Sequence, residues 1–477
     1  MAILPQARSR IAVLGGGIAG LTALYRLHQA REAGVPIDNF LIEARIRPGG
    51  LILTEHVQDF ILEAGPDSFL TEKPEALALA EELAIAEETI GSNDAARRTY
   101  LLHRGRLVPL PDGLRLFVPT AIKPAIFSPL VPLASKLQLL REIFLRPSDL
   151  TKPRPDESVA AFVRRHYGTG VLENIAEPLL AGIFGGDVEH LSVKATLPRI
   201  YRCEQQYGSL TRGMRESSKK VDPPLPLFTS LRGGMGQLVA ALMSHLSGSE
   251  GQLKFGERAV SIEGRQSSSA ARPRYVIRVE SGAEYEADVI VSALPAGELS
   301  RLIADLSPAL ARPLGQIPYA PAALLTLGYY KQKTPPGFGY LVPRKEKRFV
   351  RACTFVHAKF PGRAPPGAAL LRCFLDSSVI PQEDQEIASR VIKEIHHDLG
   401  FPAQTKLFRV HRWPAAMPQY HVGHETLLRE IRAQAEKLPG IFIAGSFFSG
   451  VGISDCIRSA TSAAERAVQH AKNSAAF

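Results

Sequence analysis

The strongest constraint in this chain is a glycine turn set between two apolar runs. Residues 10–15 (RIAVLG) read as a short buried strand, Gly15-Gly16-Gly17-Ile18-Ala19-Gly20 follows at once, and 18–33 carries helical apolar spacing. Residues 37–43 (IDNFLIE) then read as a second strand. Strand, turn, helix and strand within about 30 residues make one crossover of a parallel sheet. Gly15, Gly17 and Gly20 satisfy GxGxxG, in which the first glycine makes the turn, the second lets backbone approach a pyrophosphate and the third admits close helix–sheet packing. The helix N-terminus attracts the phosphate charge. Glu43 closes the second strand 23 residues after Gly20, where an acid accepts both ribose hydroxyls and repels a 2′-phosphate.

A single crossover cannot occupy 477 residues, and at roughly 100–200 residues per domain the chain calls for two or three. Its 45% hydrophobic and 22% charged residues are ordinary for a globular fold. The net charge of +10 favours an anionic partner without naming one. Cys203, Cys353, Cys373 and Cys456 are far apart and show no metal-ligand spacing, so the expected setting is a reducing cytoplasm with no metal. The N-terminal residues leave no room for an apolar signal core, and no apolar run reaches the ~18 residues of a membrane span.

Strand-like runs recur at 257–264, 274–280 and 285–296, then at 323–330, 337–344, 351–358 and 370–377, the last four suggesting one mixed or antiparallel sheet. Residues 145–157, 217–227 and 264–274 read as polar or Pro-rich loops. Near the C-terminus, GIFIAG (440–445) reads as a strand, and a Gly/Ser turn leads into a helix over 455–471.

The continuation of the first unit, Glu43-Ala44-Arg45-Ile46-Arg47-Pro48-Gly49-Gly50, followed by LEAGPDS (62–68), resembles the flavin amine-oxidase superfamily, whose fingerprint reads EAxxRxGG. One departure is Leu51, where the superfamily usually has Arg or Lys; any contact from that side chain is lost, leaving Arg45 and Arg47 to neutralise phosphate. Longer stretches are similar to one branch, the protoporphyrinogen oxidase family with its bacterial coproporphyrinogen-oxidising relatives: EPLLAGIFGGDVEHLS (177–192), FGYLVPRKE (338–346), CTFVHAKFPGRAP (353–365), RWPAAMPQYHVGH (412–424) and GVGISDCIRS (450–459). They reach from one end of the chain to the other.

That resemblance implies an α/β (α+β) fold: a Rossmann-like FAD-binding domain of the p-hydroxybenzoate-hydroxylase type, a sheet-based substrate domain and a helical membrane-binding domain. The expected division gives the FAD domain 1–75, 216–300 and 411–477, the substrate domain 76–95 and 301–410, and the helical domain 96–215. FAD contacts are implied at Gly15, Gly16, Gly17, Ile18, Ala19, Gly20, Glu43, Ala44, Arg45, Gly50, Gly65, Pro66, Asp67, Ser68, Val260, Trp413, Val451, Gly452 and Ile453. Substrate contacts are implied at Arg98, which would pair with a propionate, and at Gly182, Ile183, Phe184, Leu341 and Phe374, which would line the tetrapyrrole slot.

A porphyrinogen loses six electrons on aromatisation and flavin takes two at a time, so three cycles reoxidised by O2, each giving H2O2, are implied. No Ser/His/Asp set stands at recognisable spacing, and no catalytic side chain is named. Protoporphyrinogen IX is the expected substrate of this haem-pathway enzyme, with coproporphyrinogen III as the alternative; an amine oxidase, a carotenoid desaturase and a flavin-bound surface module without turnover are further alternatives. Residues 113–146 hold Arg115, Lys123, Lys136, Arg141 and Arg146 against Glu142 among many apolar residues, the composition of a segment lying on anionic lipid at the inner face of the cell membrane or packed on its own domain. Nothing asks for nucleic acid, and a homodimer stays open.

Overall fold

A computed structural model describes residues 8–147, 155–218, 225–246, 252–266 and 273–475. The glycine unit forms as read: strand Ser9–Leu14, helix Ile18–Glu32 and strand Ile37–Glu43. They join a five-stranded parallel sheet in the order Leu253–Phe255, Ile37–Glu43, Ser9–Leu14, Val289–Ser292 and Ile441–Ile443. Alternation along the strands divides two cores. Ile11, Val13 and Val291 face helices Ile18–Glu32 and Ile453–Ala475, while Ala12, Leu14 and Ile290 face Ile277, Leu299 and Ile431 on the other side.

A second sheet has seven strands in the order Leu407–Pro418, Tyr319–Tyr330, Ala368–Leu375, Val350–Phe355, Gly339–Leu341, Thr99–His103 and Arg106–Pro109. It is mixed, with Gly339–Leu341 running parallel to Thr99–His103. Helix Asp384–Leu399 covers one face through Ile387, Val391 and Ile395. Of the loop expected at 264–274, residues 267–272 lie outside the described residues, and the flanks are strand. Strands Ala259–Gln266 and Pro273–Val279 stay paired out to Gln266 opposite Pro273, so the polar composition marks exposed strand ends. The loops expected at 145–157 and 217–227 fall partly outside the described residues.

Between Ile122 and Ser218 the chain is mostly short helices around a core that includes Phe162, Tyr167, Ile175 and Leu180. One wide π turn, Leu172–Ala176, leads into helix Glu177–Phe184 and directs that helix at the seven-stranded sheet, where Leu341 packs against the same core.

Candidate functional site

The site is built where the two sheets approach each other. Gly15 N–H donates to the Ile42 carbonyl at 2.8 Å, and the second glycine pair closes on the first through Gly49 N–H to the Gly16 carbonyl at 2.8 Å. A Cβ on Gly20 would lie 1.7 Å from the Gly15 carbonyl oxygen, so only glycine lets this helix come so close to its strand. On Gly17 a Cβ would meet nothing nearer than the Gly50 Cα at 3.9 Å, which leaves that face of the turn clear for a ligand. The Glu43 carboxylate accepts Gly16 N–H at 2.5 Å and Arg45 N–H at 2.8 Å, which holds it beside the turn. Val260, 48% exposed, follows just after Glu257, whose N–H donates to the Glu43 carbonyl at 3.0 Å.

Arg45 and Arg47 donate to the Gly50 carbonyl at 2.9 and 2.8 Å, and their guanidinium carbons sit 5.3 and 5.9 Å from the centre of the Trp413 ring. Trp413 is buried, and its indole N–H donates to the Ala64 carbonyl at 2.7 Å. Ile453 opens the long C-terminal helix and is buried in one core with Ala19 and Leu21, while Gly452 N–H donates to Asp455 at 3.3 Å. The expected contacts from both ends of the chain are thus brought together. The clear face over Gly17 beside a held carboxylate fits the pyrophosphate and ribose of a dinucleotide.

Gly65 to Ser68 meet the second sheet through charge. The Asp67 carboxylate receives Lys359 Nζ at 3.0 Å and lies 3.6 Å from Arg372, whose guanidinium also donates to the Gly65 carbonyl. Burial alone would raise the Asp67 pKa, but Lys359 and Arg372 hold it well below the carboxylate range. Burial pushes Glu63 up to about 7, against the opposing influence of Met235 N–H, Thr54 and Arg363. Arg363 is only 1% exposed. With the Asp67 side chain engaged in this way, a flavin contact at 65–68 falls mainly to backbone.

The expected substrate residues come together in part. Leu341, Ala352, Phe374 and Leu324 stand opposite one another on four adjacent strands and form one row. A Cβ on Gly182 would lie 3.4 Å from Leu341 Cδ2, so the end of helix Glu177–Phe184 reaches the row. Ile183 is 44% exposed there, and the Phe184 carbonyl accepts Gln419 Nε2 at 3.0 Å. Arg372 lies over the Phe374 ring at 4.8 Å. Arg98 is exposed, and its guanidinium has no carboxylate partner among the described residues; its carbonyl accepts Phe338 N–H at 2.8 Å, placing it at the entry to strand Gly339–Leu341.

The sequence matches the model of flavin containing amine oxidoreductases over residues 18–468. The chain belongs to that family. It is a flavin oxidoreductase, and the curated members of the family similar to it include coproporphyrinogen III oxidase of Bacillus subtilis (strain 168), 31% identical over 95% of this chain and 97% of the relative. Chloroplastic protoporphyrinogen oxidase 1 of Arabidopsis thaliana is 28% identical over 94% and 86%. A crystal structure of a protein from Exiguobacterium sp. 255-15, provisionally described as a protoporphyrinogen oxidase, superposes with a TM-score of 0.84 at 26% identity, covering 97% of this chain and 99% of that one. The branch expected from the motifs is therefore the one found.

Sequence reasoning missed the buried charges. Lys359, Arg363 and Arg372 each interrupt an apolar neighbourhood, and Arg372 in ALLRCFL is the readable signal, a cation within a strand whose other members are apolar. It also missed the roles of Gln419, Tyr420 and His424, which depend on segments far away in sequence.

Proposed function

We propose that this chain is a porphyrinogen oxidase of haem biosynthesis. The observation that carries the reading is the row Leu341–Ala352–Phe374–Leu324, bounded by Gly182 at one end and by Trp413, which packs with Leu324, near the other. Four strands at about 4.8 Å spacing make a flat apolar wall roughly 14 Å wide, the size of a macrocycle rather than of a primary amine. Arg98 at the strand entry is a cation open to a propionate, and the wall holds the ring while Arg98 fixes its rotation.

FAD is the cofactor, and it supplies two-electron acceptance at each cycle with O2 as the final acceptor. Gly15 to Gly20, Glu43 to Arg45, Gly50, the backbone of Gly65 to Ser68, Val260, Trp413 and Val451 to Ile453 hold it. The buried wall excludes water from the reacting face, and orientation does more here than a strong acid or base. The proposed division into an FAD domain of p-hydroxybenzoate-hydroxylase type, a substrate domain and a helical domain follows the resemblance, except that strands Thr99–His103 and Arg106–Pro109, expected within the helical stretch 96–215, join the seven-stranded sheet.

Protoporphyrinogen IX is the first substrate. Coproporphyrinogen III is the second reading, favoured by the names of the bacterial relatives. The test mixes purified FAD-loaded protein with each reduced porphyrinogen in air: porphyrin fluorescence above a heat-killed control is expected, the ratio of initial rates assigns the substrate, and no fluorescence from either overturns the reading.

A peripheral membrane contact at the cytoplasmic face of the cell membrane belongs to the same reading. No helix among the described residues is long and apolar enough to cross a membrane. Leu133, Leu137, Leu140 and Phe144, exposed by 75, 59, 42 and 80%, follow one face of helix Leu133–Glu142 and its extension, with Phe127 at 84% nearby. Lys123, Arg141 and Arg146 are exposed around them without carboxylate partners among the described residues. An apolar stripe rimmed by cations fits anionic lipid. Co-sedimentation with vesicles containing phosphatidylglycerol is expected, and is expected to be lost in Phe144→Asp; equal recovery of both proteins in the supernatant overturns it.

A further inference from the structure

The segment Met417–His424 touches three parts of the molecule at once. Gln419 Nε2 donates to the Phe184 carbonyl, and Ser192 N–H donates to the Tyr420 carbonyl at 2.7 Å, tying the segment to the end of the helical region that reaches the apolar row. Gln419 N–H donates to the Pro318 carbonyl at 2.8 Å, just ahead of the strand that carries Leu324. The Tyr420 hydroxyl enters the glycine turn before the C-terminal helix: it donates to the Ser446 carbonyl and accepts Gly450 N–H at 3.0 Å.

His424 braces this arrangement. Its ring stacks on Tyr420 with centroids 4.2 Å apart and planes 12° apart, and its Nε2 bonds the Phe447 carbonyl at 3.1 Å. Tyr420 is 7% and His424 4% exposed, so neither exchanges these bonds for water without opening the fold. Gly445 and Gly450 have φ of 127° and 130°, conformations that favour glycine, and the turn's bonds to the C-terminal helix, Gly445 N–H to Ser459 Oγ at 3.2 Å and Gly452 N–H to Asp455 at 3.3 Å, leave its Ser446, Phe447 and Gly450 backbone groups to outside partners. Tyr420 and His424 supply those three bonds.

We infer that Tyr420, braced by His424, is a positioning residue that sets the glycine turn 445–452 in register with the substrate wall at Phe184. The inference rests on the porphyrinogen reading of that wall and on the turn serving the flavin. Gln419 holds the wall side of the junction and Tyr420 the turn side, so the two act on different quantities through one short segment.

Tyr420→Phe removes one oxygen and keeps the stacked ring. In FAD-loaded protein it is expected to lower kcat about tenfold with KM within about twofold, and to change the visible circular dichroism of the bound flavin. Gln419→Ala is expected to raise KM about fivefold with that spectrum unchanged. His424→Gln keeps a donor for the Phe447 carbonyl and is expected to retain the wild-type spectrum, whereas His424→Leu is expected to resemble Tyr420→Phe.

A wild-type spectrum and kcat in Tyr420→Phe overturn the inference, as does an equal effect of His424→Gln and His424→Leu. If Tyr420→Phe does not fold, the His424 pair decides. If the wild type oxidises no porphyrinogen, the functional reading fails, and the flavin spectra of the same variants still judge the anchoring of the turn.

Discussion

Along strand Ala368–Leu375, neighbouring side chains live in different media. Leu371, Cys373 and Leu375 enter the apolar core shared with helix Asp384–Leu399, whereas Arg372 and Phe374 face Gly65, Asp67 and the region of Trp413. One face of the sheet packs mainly apolar side chains, its buried carboxylate Asp398 being bonded by Tyr340 and Arg348. The other carries Arg372, and nearby Lys359 and Arg363 balance only Asp67 and a Glu63 that resists ionisation. Burying such charges costs more than burying apolar groups of equal volume, so the packed face supplies stability and the charged face draws on it.

The comparison predicts unequal responses to substitution. Leu371→Asp places an unpaired charge on the packed face, at a side chain that is 0% exposed, and is expected to cost more than about 4 kcal/mol. Loss of the cooperative far-UV transition checks it; a folded variant would mean that this face also tolerates an unpaired charge.

Next in size is a pH effect on the charged face. Glu63 has a higher pKa folded than unfolded, so the folded state binds its proton more tightly; this contribution is complete below about pH 4.5 and is lost as pH rises through about 7. It is worth about 3 kcal/mol by one decade per 1.4 kcal/mol. Urea midpoints at pH 5 and pH 8 should converge in Glu63→Gln, and an unchanged pH slope would show that Glu63 does not titrate in the folded state across this range.

Phe374→Ala is half-buried on the site face and is expected to cost about 2 kcal/mol, below the usual value for a core phenylalanine, while raising KM about tenfold. A stability loss with unaltered KM would assign Phe374 to the core. The smallest effect is expected at Arg98→Ala: stability within about 0.5 kcal/mol, an apparent KM raised about threefold to tenfold, and an unchanged flavin absorption spectrum. Wild-type kinetics would remove Arg98 from the substrate contacts.

What could be read in advance followed local period and spacing. Gly15 to Gly20 and Glu43 lie in one contiguous crossover, and the strands of 323–377 alternate clearly enough to predict a mixed sheet. Strand Leu407–Pro418 was hidden by Pro414 and Pro418; it lies at the sheet edge, where a missing N–H is tolerated. Around Arg98 the run of arginines masked a hairpin, Thr99–His103 with Arg106–Pro109, turned by Arg104 and Gly105 at φ of 52° and 74°. The cluster of Glu63, Asp67, Lys359, Arg363 and Arg372, and the junction at Tyr420, join residues hundreds of positions apart, and no local pattern reports such a meeting.

The order of the parallel sheet also shapes how the protein is made. Strand Ser9–Leu14 is synthesised early, yet the sheet is completed only by Ile441–Ile443. At ~5–20 residues per second, the roughly 430 intervening residues take about 20–90 s to emerge from the ribosome. Once made, Val289–Ser292 has one unpaired edge until Ile441–Ile443 follows, and the hydrophobic flank of helix Ile18–Glu32 lacks its partner Ile453–Ala475 throughout. The five-stranded sheet therefore stays unfinished for most of the chain's synthesis.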